Sequence, residues 1–289
     1  MKVGVIGLGV MGAYMALNFN KAGYLHRIWN RNQDKAEAVA AKTDAGIAVD
    51  PESLAADCDL VLTCVSRDND VLEMIQQIAR GIKSGSVVVD TSTVSSGTAK
   101  QAAALLSDKE AAFLDCPVSG GVEGAKNATL AMMVGGDESV LERVREPLTA
   151  IAKNIVYIGP TGSGQACKAV NQIMAAGLNQ AVTDALAFGQ AMGLNMDRVI
   201  DVVSTGAAGN WFLSHRGKTM LADSYEPGFK LGLHQKDLTI CRSMLRQITE
   251  ASLPTLEMTL VHYQRLIDEG YGDEDISALF RLKKKLLQA

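Results

Sequence analysis

Apolar residues fall in short unbroken runs through the first half of the chain and at helical spacing through the second. Residues 2–6, 60–65 and 86–90 are short, largely apolar stretches of strand length, 25–29 is expected as a further strand, and segments of helical character follow at 13–21 and 71–79. Runs that stay apolar instead of alternating belong to strands buried on both faces, as in a parallel sheet between helices. Three more runs, at 113–115, 131–134 and 154–158, would extend that sheet. Past Gly159-Pro160-Thr161-Gly162 the pattern changes. Between Ser163 and Ala191 there is no proline and mostly Ala, Leu, Met, Gln, Asn and Val, which predicts a single helix of about 40 Å. Further helical stretches follow at 196–204, 234–249, 254–269 and 276–287. The class predicted is α/β: a doubly wound parallel sheet over residues 1–162, joined by the long helix to an all-α domain within 163–289.

The first strand runs into Gly7-Leu8-Gly9-Val10-Met11-Gly12, a G-x-G-x-x-G between a buried strand and a helix. In that setting it is the dinucleotide fingerprint of a Rossmann-type domain. The first glycine makes the turn, the second admits the pyrophosphate, and the third lets helix and strand pack. The plainer alternative is a glycine-rich structural turn. NAD sites commonly place Asp or Glu at the end of the second strand, about 20 residues on. Here the residues are Asn30-Arg31-Asn32. No carboxylate repels a 2′-phosphate, and a guanidinium can pair with one, so the spacing favours NADP over NAD. Alternatively, Arg31 is a solvated loop residue. Ligands in such sheets bind beyond the carboxyl ends of the strands. Cys64-Val65-Ser66 and Thr91-Ser92-Thr93 are therefore expected on the nicotinamide side.

Two further features carry chemistry. The segment Asp115-Cys116-Pro117-Val118-Ser119-Gly120-Gly121 exposes backbone N–H groups after a serine, a way to hold a carboxylate without a basic side chain; it also reads as a flexible turn. On the long helix, Lys168, Asn171 and Gln172 stand at i, i+3 and i+4, hence on one face. An amine beside two amides among alanines and glycines is costly to bury without partners. A solvated first turn is the bland alternative. Asn210-Trp211-Phe212 reads as a core anchor at a loop edge, and Lys283-Lys284-Lys285 as a solvated helix end.

Composition narrows the classes. A chain of 289 residues with 47% hydrophobic and 21% charged residues is of ordinary globular make-up and fits two domains. The net charge of -4 argues against nucleic acid or an anionic membrane as partner. No apolar run reaches membrane-spanning length, and no targeting pattern opens the chain. Five scattered cysteines, none spaced as C-x-x-C, predict reduced thiols in a cytoplasm. Four histidines without ligand spacing argue against a structural metal.

Four ordered segments resemble the motifs of the β-hydroxyacid dehydrogenases: the glycine loop at 7–12, residues 115–121, Gly162-Ser163-Gly164 followed by Lys168-Ala169-Val170-Asn171-Gln172, and Lys236-Asp237. That family includes 3-hydroxyisobutyrate dehydrogenase, tartronate semialdehyde reductase and the glyoxylate/succinic semialdehyde reductases. The resemblance covers essentially the whole chain. It implies a substrate site in the cleft between a Rossmann domain and an all-helical domain, and a homodimer or homotetramer through the latter. It also implies roles: Lys168 as the catalytic lysine, Ser119, Gly120 and Gly121 on the substrate carboxylate, and Asn171 and Gln172 as an amide pair. Phe229 would line the substrate pocket, Asp237 would lie near the amine among the substrate-binding residues, and Lys236 would touch the cofactor. The chain departs from its relatives at Val65-Ser66, where a Leu-Pro pair is usual. Asn171-Gln172 is similar to the tartronate semialdehyde reductases, and Asn30-Arg31 to the NADPH-using reductases. The expected activity is NADPH-dependent reduction of a small carboxylate-bearing semialdehyde or oxo acid. Alternatives are an NAD-dependent 3-hydroxyisobutyrate dehydrogenase, an imine reductase and a non-catalytic NADP-binding regulator.

Overall fold

The computed structural model of the chain describes residues 1–288. They form two compact units that divide between Lys168 and Ala169. The first unit is built on nine strands: β1 (Val3–Ile6), β2 (Leu25–Trp29), β3 (Gly46–Ile47), β4 (Leu60–Thr63), β5 (Val87–Asp90), β6 (Ala112–Asp115), β7 (Val118–Ser119), β8 (Leu130–Gly135) and β9 (Ala152–Gly159). Its helices are α1 (Val10–Lys21), α2 (Gln33–Ala40), α3 (Pro51–Asp57), α4 (Asp68–Gly81), α5 (Ser96–Ser107), α6 (Gly121–Lys126) and α7 (Glu138–Leu148). Helix α8 (Ser163–Ala191) passes from this unit into the second, which continues with α9 (Met196–Ser204), α10 (Trp211–Leu221), α11 (Leu231–Arg246), α12 (Pro254–Asp268) and α13 (Leu279–Gln288).

The strand order is β3-β2-β1-β4-β5-β6-β8-β7, with β9 also paired to β8. All pairs from β3 to β6 are parallel. Alternate residues of each strand enter opposite cores. Val3, Val5, Leu60, Leu62, Val87, Val89 and Leu114 pack on one face, whereas Ile6, Val61, Val88 and Phe113 pack on the other. This two-faced burial is why the central runs do not alternate between apolar and polar positions. The far edge departs from the all-parallel expectation: β8 meets both β6 and β7 antiparallel. The two-residue strands β3 and β7 are too short to leave a periodic signal.

In the second unit a single core gathers Leu186, Ile200, Phe212, Met220, Leu238, Leu260, Tyr263 and Phe280 from six helices. Two expectations are corrected here. Phe212 is the buried anchor, but Trp211 is 59% exposed and stacks on His215 instead. Lys283 is not solvated: it is 5% exposed and pairs with Asp184 at 2.7 Å, while Lys284 and Lys285 pair with Asp223 and Glu269. Among the described residues, no helix is long and apolar enough to cross a membrane.

Candidate active site

The glycine loop turns from β1 into α1. A Cβ on Gly12 would collide with the Gly7 carbonyl oxygen, and one on Gly7 with the Cys64 carbonyl oxygen, so both positions are closed by the protein itself. A Cβ on Gly9 would meet nothing within 4 Å. Gly9 is the N-cap of α1, no side chain caps that end, and no acidic residue stands in its first turn. Helix N–H groups left without a side-chain partner, beside open space, suit a pyrophosphate. The residues present therefore fit a dinucleotide.

At the end of β2 the three polar residues separate. Asn30 Oδ1 accepts from the Leu8 N–H at 2.8 Å and so pins the glycine loop. Asn32 caps α2 by accepting from the Lys35 N–H at 3.2 Å. Arg31 is exposed and donates to Asp70 in the first turn of α4 at 2.9 Å.

Beneath the strand ends lies a buried polar network. Strands β5 and β6 both end in Asp, and Asp90 stands in register beside Asp115. Asp90 Oδ1 accepts from Thr63 Oγ1 (2.7 Å) and Ser92 Oγ (2.6 Å), while its Oδ2 has no partner. Burial pushes its carboxyl up to about 6; the Ser92 and Thr63 hydrogen bonds oppose that rise, and the Asp115 charge adds to it. Asp115 is also raised by burial, against the N–H groups of Gly162 (2.7 Å) and Gln165 (2.9 Å) that it accepts at the start of α8. Gln165 then clamps the β5 end, donating to the Ser92 carbonyl at 2.8 Å and accepting from the Val94 N–H at 3.1 Å. Val65 donates its N–H to Ser92 Oγ at 2.9 Å. Thr91 and Ser92 are thus spent on the sheet, and of the three residues after β5 only Thr93 stays partly exposed.

One turn past Gln165, Lys168 is 7% exposed and its Nζ donates to the Val118 carbonyl at 2.9 Å. Val118 immediately precedes Ser119, Gly120 and Gly121, and Gly120 (φ 129°) and Gly121 (φ 61°) have positive backbone angles that favour glycine. The amine and the serine–glycine loop are therefore joined within the first unit.

The second unit holds the other candidates. Asn171 Nδ2 donates to Gln172 Oε1 at 2.8 Å, and Gln172 Nε2 donates to Asp237 Oδ2 at 2.6 Å. Lys236 Nζ pairs with Asp237 Oδ1 at 3.0 Å. Phe229 lies 5.3 Å from the His234 ring, centroid to centroid, and its N–H donates to Asp275.

Comparison with known proteins decides the family. Residues 2–159 match the family described as the NAD binding domain of 6-phosphogluconate dehydrogenase. Residues 162–283 match the NAD-binding family of NADP-dependent 3-hydroxyisobutyrate dehydrogenase. An uncharacterized oxidoreductase of Shewanella frigidimarina is 37% identical, covering 98% of each chain, and the 2-hydroxy-3-oxopropionate reductase of Escherichia coli is 34% identical, covering 96% of each chain. A structure of Mycobacterium tuberculosis 3-hydroxyisobutyrate dehydrogenase with L-serine superimposes with a TM-score of 0.89 at 30% identity, covering 97% of this chain and 98% of that one. The chain belongs to the β-hydroxyacid dehydrogenase family. It is an NAD(P)-binding oxidoreductase of the hydroxyacid class.

In this β-hydroxyacid dehydrogenase, sequence reading passed over four polar residues: Asp70, Asp90, Asp115 as a helix anchor, and Gln165. Asp90 and Asp115 left one signal, a carboxylate closing an otherwise apolar strand. Asp70 and Gln165 left none, because their partners are 39 and 73 residues away.

Proposed function

We propose that this dehydrogenase is an NADPH-dependent reductase of short semialdehydes or oxo acids bearing a carboxylate, with Lys168 as general acid. The observation that carries the reading is the contact of Lys168 Nζ with the carbonyl at the root of the serine–glycine loop. It puts a proton donor beside N–H groups suited to a carboxylate. A bound nicotinamide supplies the hydride; Gly7, Leu8, Gly9, Val10, Met11 and Gly12 would hold its pyrophosphate, with Val65, Ser66, Thr93 and Lys236 as further contacts. The serine–glycine loop fixes the substrate carboxylate, and Lys168 gives its proton to the carbonyl oxygen as negative charge develops there. A lysine amine ordinarily titrates near ~10.4 and is charged at neutral pH, as an acid requires. In the reverse direction the neutral amine would serve as base. The domains are taken as 1–162 for the cofactor and 163–289 for substrate and assembly, because α8 is one helix from Ser163. Assembly as a homodimer or homotetramer and a cytoplasmic setting complete the reading.

The Arg31–Asp70 pair favours a second reading, an NAD-dependent 3-hydroxyisobutyrate dehydrogenase, since the guanidinium meant for a 2′-phosphate already has a carboxylate beside it. One panel separates the two: glyoxylate, succinic, tartronate and methylmalonate semialdehydes, each with NADPH and NADH. The expected result is faster turnover with NADPH, lost by at least about 100-fold in Lys168→Ala with cofactor binding kept. Arg31→Ala is expected to weaken NADPH far more than NADH. Near-normal turnover in Lys168→Ala removes that amine from the chemistry, and equal losses at Arg31 support the NAD reading.

A further inference from the structure

Asp237 is expected from sequence to lie on the substrate side, yet it is 4% exposed and both its oxygens are engaged, one with Gln172 and one with Lys236. A carboxylate can only accept hydrogen bonds. The Gln172 amide must therefore turn its NH2 toward Asp237, which leaves Oε1 as its acceptor. Asn171 Nδ2 donates to that oxygen. The second amide is thereby oriented too, with its own Oδ1 at the far end. Carboxamides have two nearly isosteric orientations, and only the hydrogen-bond network chooses between them. Here a charge at one end makes the choice for both.

The Gln172 backbone is held by a separate chain. Its carbonyl can only accept, so the His234 Nε2 beside it at 3.2 Å carries a proton. The other ring nitrogen, His234 Nδ1, lies 3.0 Å from Tyr263 OH, and Tyr263 accepts from Asn179 Nδ2 at 2.9 Å. The helix backbone is thus fixed without Asp237, and the direction of the amides is what Asp237 adds.

We propose that Asp237 is a positioning residue that sets the polarity of the Asn171–Gln172 pair, so that Asn171 presents a carbonyl oxygen, and not an NH2, to a hydrogen-bond donor. Lys168 stands three residues earlier on the same helix, the spacing that brings side chains onto one face. An oxygen there stabilises and orients an ammonium; an NH2 would repel it. Linked hydrogen bonds also polarise one another, so the carboxylate charge strengthens the far acceptor. This inference rests on the reading of Lys168 as the proton donor.

The test uses the full-length enzyme and a semialdehyde that it reduces. Asp237→Asn can pair with Gln172 in either sense, and is expected to lower kcat about 10- to 100-fold with KM changed far less. It is also expected to shift the pH profile of kcat. Asp237→Glu keeps the charge and should recover most of the rate. Gln172→Met cuts the middle link without adding a charge and should give a similar loss. In an Asn171→Ala background, Asp237→Asn should cost almost nothing more, because the link it acts through is gone. A raised KM at unchanged kcat, or fully additive losses, would overturn the relay and return Asp237 to substrate binding. Side-chain amide NMR gives a readout that needs no turnover: Asp237→Asn should move the NH2 resonances of both Gln172 and Asn171. Movement of Gln172 alone overturns the relay. Wild-type protein that reduces no member of the panel defeats the functional reading, and the NMR result still decides this one.

Discussion

Three glycines in one loop have three different reasons to be glycine. Gly7 and Gly12 are closed by backbone carbonyls of the protein, whereas Gly9 faces open space. Gly12→Ala is therefore expected to destabilise the fold, since the atom in the way is backbone and cannot swing aside. Gly9→Ala should melt like wild type and bind the dinucleotide at least about tenfold more weakly, since the loss falls on close approach to the phosphates. Thermal melts beside cofactor titrations check both, and equal effects on stability would remove the distinction. Asp90 makes a second prediction at this scale. Its carboxyl rises from 3.8 to about 6 on folding, mainly through burial, a difference of about 3 kcal/mol. A raised folded value means a contribution that is fully present below about pH 4 and lost as pH climbs through 6. Asn at this position keeps the acceptor oxygen for Thr63 and Ser92 but does not ionise. Relative to wild type, Asp90→Asn should therefore gain stability between pH 4.5 and 7.5, as read by urea denaturation. A pH-independent difference would show that burial does not perturb this carboxyl.

Elements inherit their ends from such residues. Helix α8 begins where it does because Asp115 accepts N–H groups at its start, as a helix N-terminus favours. Its first turn is then tied to the β5 end through Gln165, one turn before Lys168. The helix itself was legible in the sequence, since an unbroken run without proline after Gly-Pro-Thr-Gly leaves few alternatives. The anchor was not, because periodicity reports which faces are apolar and says nothing about which polar side chain meets a helix end. Asn30-Arg31-Asn32 illustrates the same limit. The absence of an acid at the β2 end was readable, but two of the three residues serve the loop and the next helix cap, and Arg31 found a carboxylate on α4. In the second unit, Asp275 ties α10 to the chain before α11: it takes both Arg216 Nε (2.7 Å) and Nη2 (3.0 Å), and the N–H groups of Gly228 and Phe229. Sequence inspection singled out Phe229 but not the carboxylate that holds its backbone.

At the scale of the whole molecule, the exposed side of α8 bears on assembly. Val170, Met174, Leu178 and Phe188 are 38–63% exposed and share one side of the helix along its second-unit length. A continuous apolar stripe of this kind marks an interaction surface more often than a free one. The proposed homodimer or homotetramer would bury it. Met174→Glu combined with Phe188→Glu should accordingly lower the mass measured by light scattering in solution, while far-UV circular dichroism stays as in wild type. An unchanged assembly would place the interface elsewhere.

Sequence alone determined the alternation of buried strands and helices, the glycine loop, the long helix and the one-face spacing of Lys168, Asn171 and Gln172. All of these follow from local periodicity and turn chemistry, which act over a few residues. Tertiary structure alone decided the antiparallel far edge of the sheet, the burial of Lys283 and the exposure of Trp211. It also decided the partners of the charged and amide groups: Asp70 for Arg31, Ser92 for Gln165 and Asp237 for Gln172, at separations of 39, 73 and 65 residues. The physical reason is that a buried polar group must find its complement wherever the fold brings one, and that choice leaves no periodic trace in the chain.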